Sequence, residues 1–339
     1  MDRLQLFNTS KLNNLLNKRS KETKFGETVK IPSKLTSIYD TISSLDVDFV
    51  LFGVPEDVGV FANHGKTGTS GSWEATLKIL LNIQTNPFTR PDRVLILGSL
   101  DYSDVIEKTN LLDSDSKKDI QKARKRVEKI DRDVTHLVST IVKSGKTPIV
   151  IGGGHNNSYG NIKGSALGIG KPINAINFDA HTDFRSEEGR HSGNGFSYAF
   201  AEGFLSRYFV FGLHENYTSQ AIFQGLNKIK NVKFNTYESI AVRKELKYGK
   251  ALKQGLQFIQ DNAFGVEVDC DSIINTTSSA MTPSAFSVEQ ARQFVHFYGK
   301  EENSCYLHIC EAAPTPENAS QVGKLITYLI TDFIRAKLL

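Results

Sequence analysis

The strongest constraint on the fold of this chain is a series of short apolar, β-branched runs separated by longer stretches with helical periodicity. The runs are almost continuously apolar, which is typical of strands buried on both faces of a sheet. Strand–helix alternation predicts an α/β fold, with a mainly parallel sheet covered by helices on both sides. The eight predicted strands are 48–54, 93–98, 147–153, 173–179, 208–213, 232–236, 264–269 and 305–310, and the clearest predicted helices are 117–144, 239–262, 287–299 and 320–338.

One continuous series of strands predicts a single domain over residues 46–339. Residues 1–45 are polar and rich in Asn and Lys, and we expect them to form a peripheral N-terminal helical extension.

The charge balance and the cysteines exclude several classes of protein. The chain has 41 basic and 37 acidic residues, which does not favour nucleic-acid binding. Its three cysteines include no CxxC pair, which argues against a disulfide framework and indicates a reducing compartment. It shows neither an apolar core of signal-peptide length nor a run near the roughly 18 apolar residues of a membrane span. We therefore expect a cytoplasmic protein without membrane or nucleic-acid partners.

Three polar motifs follow predicted strands, where open α/β sheets place their sites. The first is a run of three glycines before His155. Glycines permit a sharp turn and a close backbone approach. A phosphate loop is discounted because no GxxxxGK[ST] pattern follows. The motif could present His155 as a metal ligand, or His155 could be a hydrogen-bonded structural residue.

The second motif places Asp179, His181 and Asp183 two residues apart. Side chains at this spacing share one face of an extended backbone. Two carboxylates around an imidazole suit a divalent cation, although the polar face of an edge strand is an alternative.

The third motif is Asp269 and Asp271 at the end of an apolar strand, where they could also cap the next element. Together the motifs supply two imidazoles and four carboxylates. That is enough for two divalent ions, which can lower the pKa of a bridging water and generate a hydroxide nucleophile.

The motifs GGGH, DAHTD and DCD, in this order and spacing, resemble those of the ureohydrolase family, which includes arginase, agmatinase, guanidinobutyrase and formimidoylglutamase. The resemblance covers about residues 48–335. It implies a three-layer α/β/α domain with an eight-stranded, mainly parallel, arginase-like sheet, two Mn²⁺ ions per subunit and a homo-oligomer. It also implies that Asp179 and Asp269 bridge the ions, that His155 and Asp183 complete the first site, and that His181 and Asp271 complete the second.

The resemblance also implies catalytic roles. Asp183 would hold the nucleophile and pass its proton to the leaving amine. Glu311 would pair with the cationic nitrogen of the substrate, since a carboxylate is the natural partner of an amidinium, although it could instead be a cap. His191 falls near a loop histidine that acts as a proton shuttle in relatives, although it could equally be a surface-loop residue.

Two features favour formimidoylglutamase. Gly154 stands where arginase-like members carry aspartate, and Arg185 stands where relatives meet the tail of the substrate. A guanidinium suits the carboxylates of N-formimidoyl-L-glutamate, although Arg185 could form only a surface ion pair. Asn63 and Lys66 lie in a segment that resembles the substrate loop of formimidoylglutamases. The expected reaction yields L-glutamate and formamide in histidine degradation; the alternatives are another ureohydrolase that releases urea, or a non-catalytic metal-binding member.

The chain departs from the family pattern in the 272–283 loop, which lacks the usual Asp-Pro, and at Glu267, where many relatives have serine. These departures concern the substrate side of the site, since all six ligand positions are intact.

Overall fold

A computed structural model describes residues 2–32 and 38–339. In these residues one sheet contains nine strands, which are β1 (Leu4–Leu6), β2 (Phe49–Gly53), β3 (Val94–Leu100), β4 (Thr147–Ile151), β5 (Ile173–Phe178), β6 (Leu205–Leu213), β7 (Val232–Thr236), β8 (Phe264–Asp269) and β9 (Ser304–Cys310). Their order in the sheet is β1-β3-β2-β4-β9-β8-β5-β6-β7, and every pair except β1–β3 is parallel.

The eight predicted strands are confirmed, but the sheet has a ninth, β1, in the segment predicted to be helical. It pairs antiparallel with β3, with Leu4 opposite Leu100 and Leu6 opposite Gly98. At Gly98 φ is +137°, and a Cβ there would lie 2.0 Å from the carbonyl oxygen of Gln5. Three residues are too few to show a strand period, so this strand depends on its partner and on the missing side chain at Gly98.

Three of the four clearest predicted helices are confirmed as α7 (Lys117–Lys143), α12 (Val288–Gly299) and α13 (Ala319–Lys337), and the fourth is corrected. The predicted helix 239–262 is a π-helical turn at Glu238–Val242 followed by α11 (Tyr248–Ile259), because Lys244 has φ +56°, which a right-handed helix cannot contain. The α-helices are α1 (Thr9–Leu15), α2 (Phe25–Thr28), α3 (Ile38–Ser44), α4 (Val58–Ala62), α5 (Ser72–Leu80), α6 (Ser103–Asn110), α7 (Lys117–Lys143), α8 (Asn157–Ile169), α9 (Gly195–Ala201), α10 (Gln220–Lys228), α11 (Tyr248–Ile259), α12 (Val288–Gly299) and α13 (Ala319–Lys337).

The three layers follow from the alternation of side chains along each strand. In β2, Phe49 and Leu51 join an apolar core that also contains residues of α5, α11, α12 and α13. Val50 and Phe52 point to the opposite face and join a core that contains residues of α7. The sheet is therefore buried on both sides, as the continuous apolar runs predict.

The topology determines where a site can form. After β4 the chain crosses to β5, and the two strands that come last, β8 and β9, fill the space between them. The carboxyl ends of β4, β9, β8 and β5 therefore lie side by side at one edge, where the direction of winding reverses. Open α/β sheets place their ligand crevices at such a point. Across residues 2–32 and 38–339, no helix has both the length and the apolar character needed to cross a membrane.

Candidate metal centre

The carboxyl ends of β4, β5 and β8, with the segments that follow them, bring all six predicted ligand residues together in two overlapping groups. Within each group, one potential ligand atom per residue lies within 4.8 Å of every other. The first group is His155, Asp179, Asp183 and Asp269, and the second is Asp179, His181 and Asp271.

The first group is arranged around Nδ1 of His155, a fully buried side chain. This nitrogen lies 2.8 Å from Oδ2 of Asp183 and 3.1 Å from Oδ2 of Asp269. Oδ2 of Asp179 is 3.3 Å away. Three carboxylates that converge on one ring nitrogen can enclose a single cation.

The second group is arranged around Nδ1 of His181, which lies 3.0 Å from Oδ2 of Asp271 and 3.6 Å from Oδ1 of Asp179. Asp179 therefore directs one oxygen toward each group, as a bridging carboxylate must. Oδ1 of Asp269 accepts a hydrogen bond from the backbone N–H of Asp271 at 2.8 Å. Asp269 belongs to the first group only, so its bridging role stays a prediction.

The electrostatics of this cluster fit a bound cation. Burial and the charges of Asp271 and Asp179 raise the pKa of Asp269 well above its usual range. Although burial opposes a charged imidazole, neighbouring acidic groups raise the pKa values of both His155 and His181 well above the usual range. Buried carboxylates without cations must share protons, and divalent ions would replace those protons. The oxygen and imidazole donors suit Mn²⁺ among other divalent ions.

The glycine loop before His155 is held by Glu56, a fully buried residue that the sequence does not single out. Its Oε1 accepts hydrogen bonds from the Gly154 N–H at 3.0 Å and from Nδ2 of Asn157 at 2.8 Å. Its Oε2 accepts from the Val58 N–H at 2.8 Å. The only hint in the sequence is an acidic residue just after a strand. An acceptor with this many donors organises the turn that presents His155.

Glu311, directly after β9, stands beside the cluster with φ +60°. Its Oε1 accepts from the His155 N–H at 2.7 Å, and its Oε2 accepts from Oγ of Ser279 at 2.7 Å. Burial is the main reason that its pKa is raised to about 7. Ser279 belongs to the atypical 272–283 loop, which therefore contacts the predicted substrate carboxylate directly.

A cavity of about 440 Å³ opens at the two ligand groups, and its wall contains some of the predicted substrate residues but not all of them. Asp183, Glu311, Asn63 and Arg185 line it. Lys66 does not: it is exposed outside the cavity, so the structure does not support a substrate contact for it.

Arg185 is half-exposed at the cavity and already has partners. Its Nη1 donates to Oδ1 of Asn63 at 2.8 Å, and its Nη2 donates to Oε1 of Glu188 at 3.1 Å. The predicted alternative of an ion pair is therefore observed, although it leaves Arg185 in the wall of the cavity.

His191 lies neither in the cavity wall nor on the surface. It is fully buried, and its Nδ1 accepts from the Gly193 N–H at 3.1 Å while its Nε2 lies 3.3 Å from Oε1 of Glu188. Burial, followed by the charge of Arg185, lowers its pKa to about 3. A neutral ring with both nitrogens engaged does not favour the proton-shuttle role, and the surface-loop alternative is wrong.

The sequence model of the Arginase family matches residues 47–335. The chain belongs to the arginase family. Formimidoylglutamases of Streptococcus pyogenes, from serotypes M3 and M4, are each 25% identical to it over 235 residues. The match covers 66% of this arginase-family chain and spans only 65% of the length of those relatives.

Solved structures share the fold of this arginase-family chain. A formimidoylglutamase from Bacillus subtilis has a TM-score of 0.73 at 20% identity, over 95% of this chain and 94% of that one. A formiminoglutamase from Trypanosoma cruzi with Mn²⁺ has a TM-score of 0.71 at 19% identity, over 93% of this chain and 98% of that one. The three-layer fold of the chain is therefore arginase-like.

Proposed function

We propose that this protein is a two-metal hydrolase that cleaves the C–N bond of a linear amidine, with N-formimidoyl-L-glutamate as its substrate and L-glutamate and formamide as its products. The observation that carries the proposal is the convergence of six potential ligands below a cavity that also contains Glu311 and Arg185.

Two Mn²⁺ ions are the proposed cofactors. His155, Asp179, Asp183 and Asp269 would hold one ion, and His181 and Asp271 would hold the other with Asp179 and Asp269 as bridges. Such a pair of ions supplies an acidified water molecule and orients it toward the substrate carbon. The Mn²⁺ named for the formiminoglutamase of Trypanosoma cruzi supports this choice of ion.

The residues of the chain supply the remaining parts. Glu311 carries an acceptor oxygen in the cavity and can bind the amidinium through charge-assisted hydrogen bonds. Asp183 lies beside His155 in the cavity wall, where its carboxylate can accept a proton and deliver it to the leaving amine. Arg185 offers a planar fork for a carboxylate of the substrate.

The choice of substrate has three supports. Gly154 precedes His155, Arg185 lines the cavity, and the curated relatives described above are formimidoylglutamases. A guanidino compound that would release urea is the second candidate. Arg185 is already paired with Glu188, and the carboxylate of Glu311 can bind a guanidinium as well as an amidinium.

The test is turnover by the purified protein reconstituted with Mn²⁺. We expect formamide and glutamate in equal amounts from N-formimidoyl-L-glutamate, and no urea from arginine, agmatine or 4-guanidinobutyrate. Urea release without formamide release would replace the substrate with a guanidino compound. Two bound equivalents of Mn²⁺ without turnover of any of these compounds would indicate a non-catalytic member.

A further inference from the structure

A second carboxylate lies behind His155, on the side of the ring away from the ligand group. Nδ1 of His155 faces the carboxylates of Asp179, Asp183 and Asp269, and its Nε2 faces Oε2 of Glu267 at 3.5 Å. Both His155 and Glu267 are fully buried. The imidazole therefore lies between the candidate ligands and an internal carboxylate.

Glu267 is held in this orientation by two residues of the neighbouring strand β9. On β9, Tyr306 donates its hydroxyl to Oε1 of Glu267 at 2.6 Å, and Nδ1 of His308 lies 2.5 Å from Oε2. Gly265, on the same face of β8 as Glu267, makes room for this arrangement, since a Cβ there would lie 2.1 Å from the ring of Tyr306. The carboxylate of Glu267 thus has a defined position rather than a choice of rotamers.

Nε2 of His155 needs an acceptor. It is buried and has no hydrogen-bond partner within 2–32 and 38–339. An imidazole that binds a cation through Nδ1 keeps its proton on Nε2, and a carboxylate that accepts this proton fixes the ring and increases its basicity. Oε2 of Glu267 is within 4 Å and needs only a small approach to accept it.

We propose that Glu267 is a positioning residue, which holds His155 with Nδ1 toward the first cation and strengthens the binding of that ion. The inference rests on the two-metal centre proposed above, but not on the identity of the substrate. It also assigns a role to a residue at which the chain departs from the serine of many relatives.

The first test measures Mn²⁺ dissociation constants by competition with a chelating dye in wild type and Glu267→Gln, with Tyr306→Phe as a matched control. Tyr306→Phe removes a hydrogen bond from the same carboxylate, but from the oxygen that does not face His155. We expect Glu267→Gln to weaken one of the two ions by about 10-fold or more and to leave KM unchanged. Tyr306→Phe should bind both ions nearly as the wild type does.

A purely structural role for Glu267 would lower the melting temperature of both variants without selective loss of one ion, and that result would overturn the inference. Wild-type binding of two ions, with an unchanged affinity in a folded Glu267→Gln variant, would overturn it as well while leaving the proposed function intact. A wild type that binds no Mn²⁺ would overturn both this inference and the proposed function.

The second test needs no variant, so it holds even if Glu267→Gln does not fold. In a crystal structure of the Mn²⁺-loaded wild type, we expect the ion on Nδ1 of His155 and an Nε2–Oε2 distance to Glu267 of about 2.7–3.2 Å. An ion on Nε2, or a ring turned away from Glu267, would contradict the proposal.

Discussion

The backbone N–H of His155 donates a 2.7 Å hydrogen bond to Oε1 of Glu311, so the residue proposed to bind the substrate cation is attached to the loop that presents the first ligand histidine. Glu311 holds φ +60°, a conformation that costs on the order of 1 kcal/mol or more for a residue with a side chain. The hydrogen bonds to His155 and Ser279 keep it in place, which couples the cavity to the metal centre.

Replacing Glu311 with glutamine tests the role of its charge. Glutamine can still accept from the His155 N–H and meet the hydroxyl of Ser279, so the fold should persist. Loss of a charge-assisted contact worth about 1.5–3 kcal/mol should raise KM roughly 10-fold to 100-fold. Steady-state kinetics would measure this. Glu317→Gln, an exposed change a few residues away, is the control, and equal KM values for the two variants would contradict the prediction.

The glycine loop offers a matched pair of substitutions. Gly153 (φ +74°) and Gly145 (φ +71°) share a left-handed backbone, but a Cβ at Gly153 would lie 2.3 Å from Nδ2 of Asn157, and a Cβ at Gly145 would meet nothing within 4 Å. Gly145→Ala should therefore cost only about 1–2 kcal/mol of unfolding free energy. Gly153→Ala should cost more and also weaken Mn²⁺ binding.

Urea denaturation and dye competition would measure the two effects of Gly153→Ala and Gly145→Ala. Equal losses of stability, together with an unchanged Mn²⁺ affinity in Gly153→Ala, would show that the turn does not position His155.

His191 should make the metal-free protein sensitive to acid. Its pKa is lowered to about 3 in the folded chain, because burial and the positive charge of Arg185 oppose its protonation, and an unfolded histidine titrates near 6.5. Between these values the unfolded state binds more protons, so the contribution of His191 to stability is present above about pH 6.5 and is lost as the pH falls toward 3. The loss is on the order of a few kcal/mol.

The measurement is the free energy of unfolding of the metal-free protein at pH 5 and pH 7, in wild type and His191→Asn. Asparagine can still accept from the Gly193 N–H but does not titrate, so the variant should lose less stability at pH 5. Equal pH dependence would contradict the prediction, and a kcat profile in which His191→Asn alone removes an ionisation near neutral pH would restore the proton-shuttle role.

Arg185→Gln should act on the tail of the substrate and not on its reactive carbon. Loss of a carboxylate contact should raise KM for N-formimidoyl-L-glutamate roughly 10-fold to 100-fold. A small amidine without carboxylates is the matched control, and its KM should not change. Kinetics with both substrates would measure the difference. A parallel rise in both KM values would show instead that Arg185 acts by holding Asn63 and Glu188 in place.

The sequence alone predicts most of the fold and the six potential ligands. Continuous apolar runs reveal strands buried on both faces, and this signal is local. The spacing of two residues identifies the ligands, but the reason given for it, a shared extended face, is wrong. Asp179, His181 and Asp183 follow the end of β5, and Asp183 has φ +41°, so turns bring these side chains together. The sequence does not predict the first strand, because three residues are too few to show a period. It does not predict the break before α11 either, because nothing in the residue type of Lys244 indicates a positive φ.

The tertiary structure alone determines the contacts around the six potential ligands. Glu56 lies beneath the glycine loop, Glu267 lies behind His155, and Ser279 lies against Glu311. The partners in each of these contacts are at least 32 residues apart along the chain, so no local pattern connects them. The burial of His191 and the exposure of Lys66 depend on how loops pack across the sheet edge. Strand ends are determined by short-range periodicity, whereas the partners of a buried polar group are determined by which strands become neighbours.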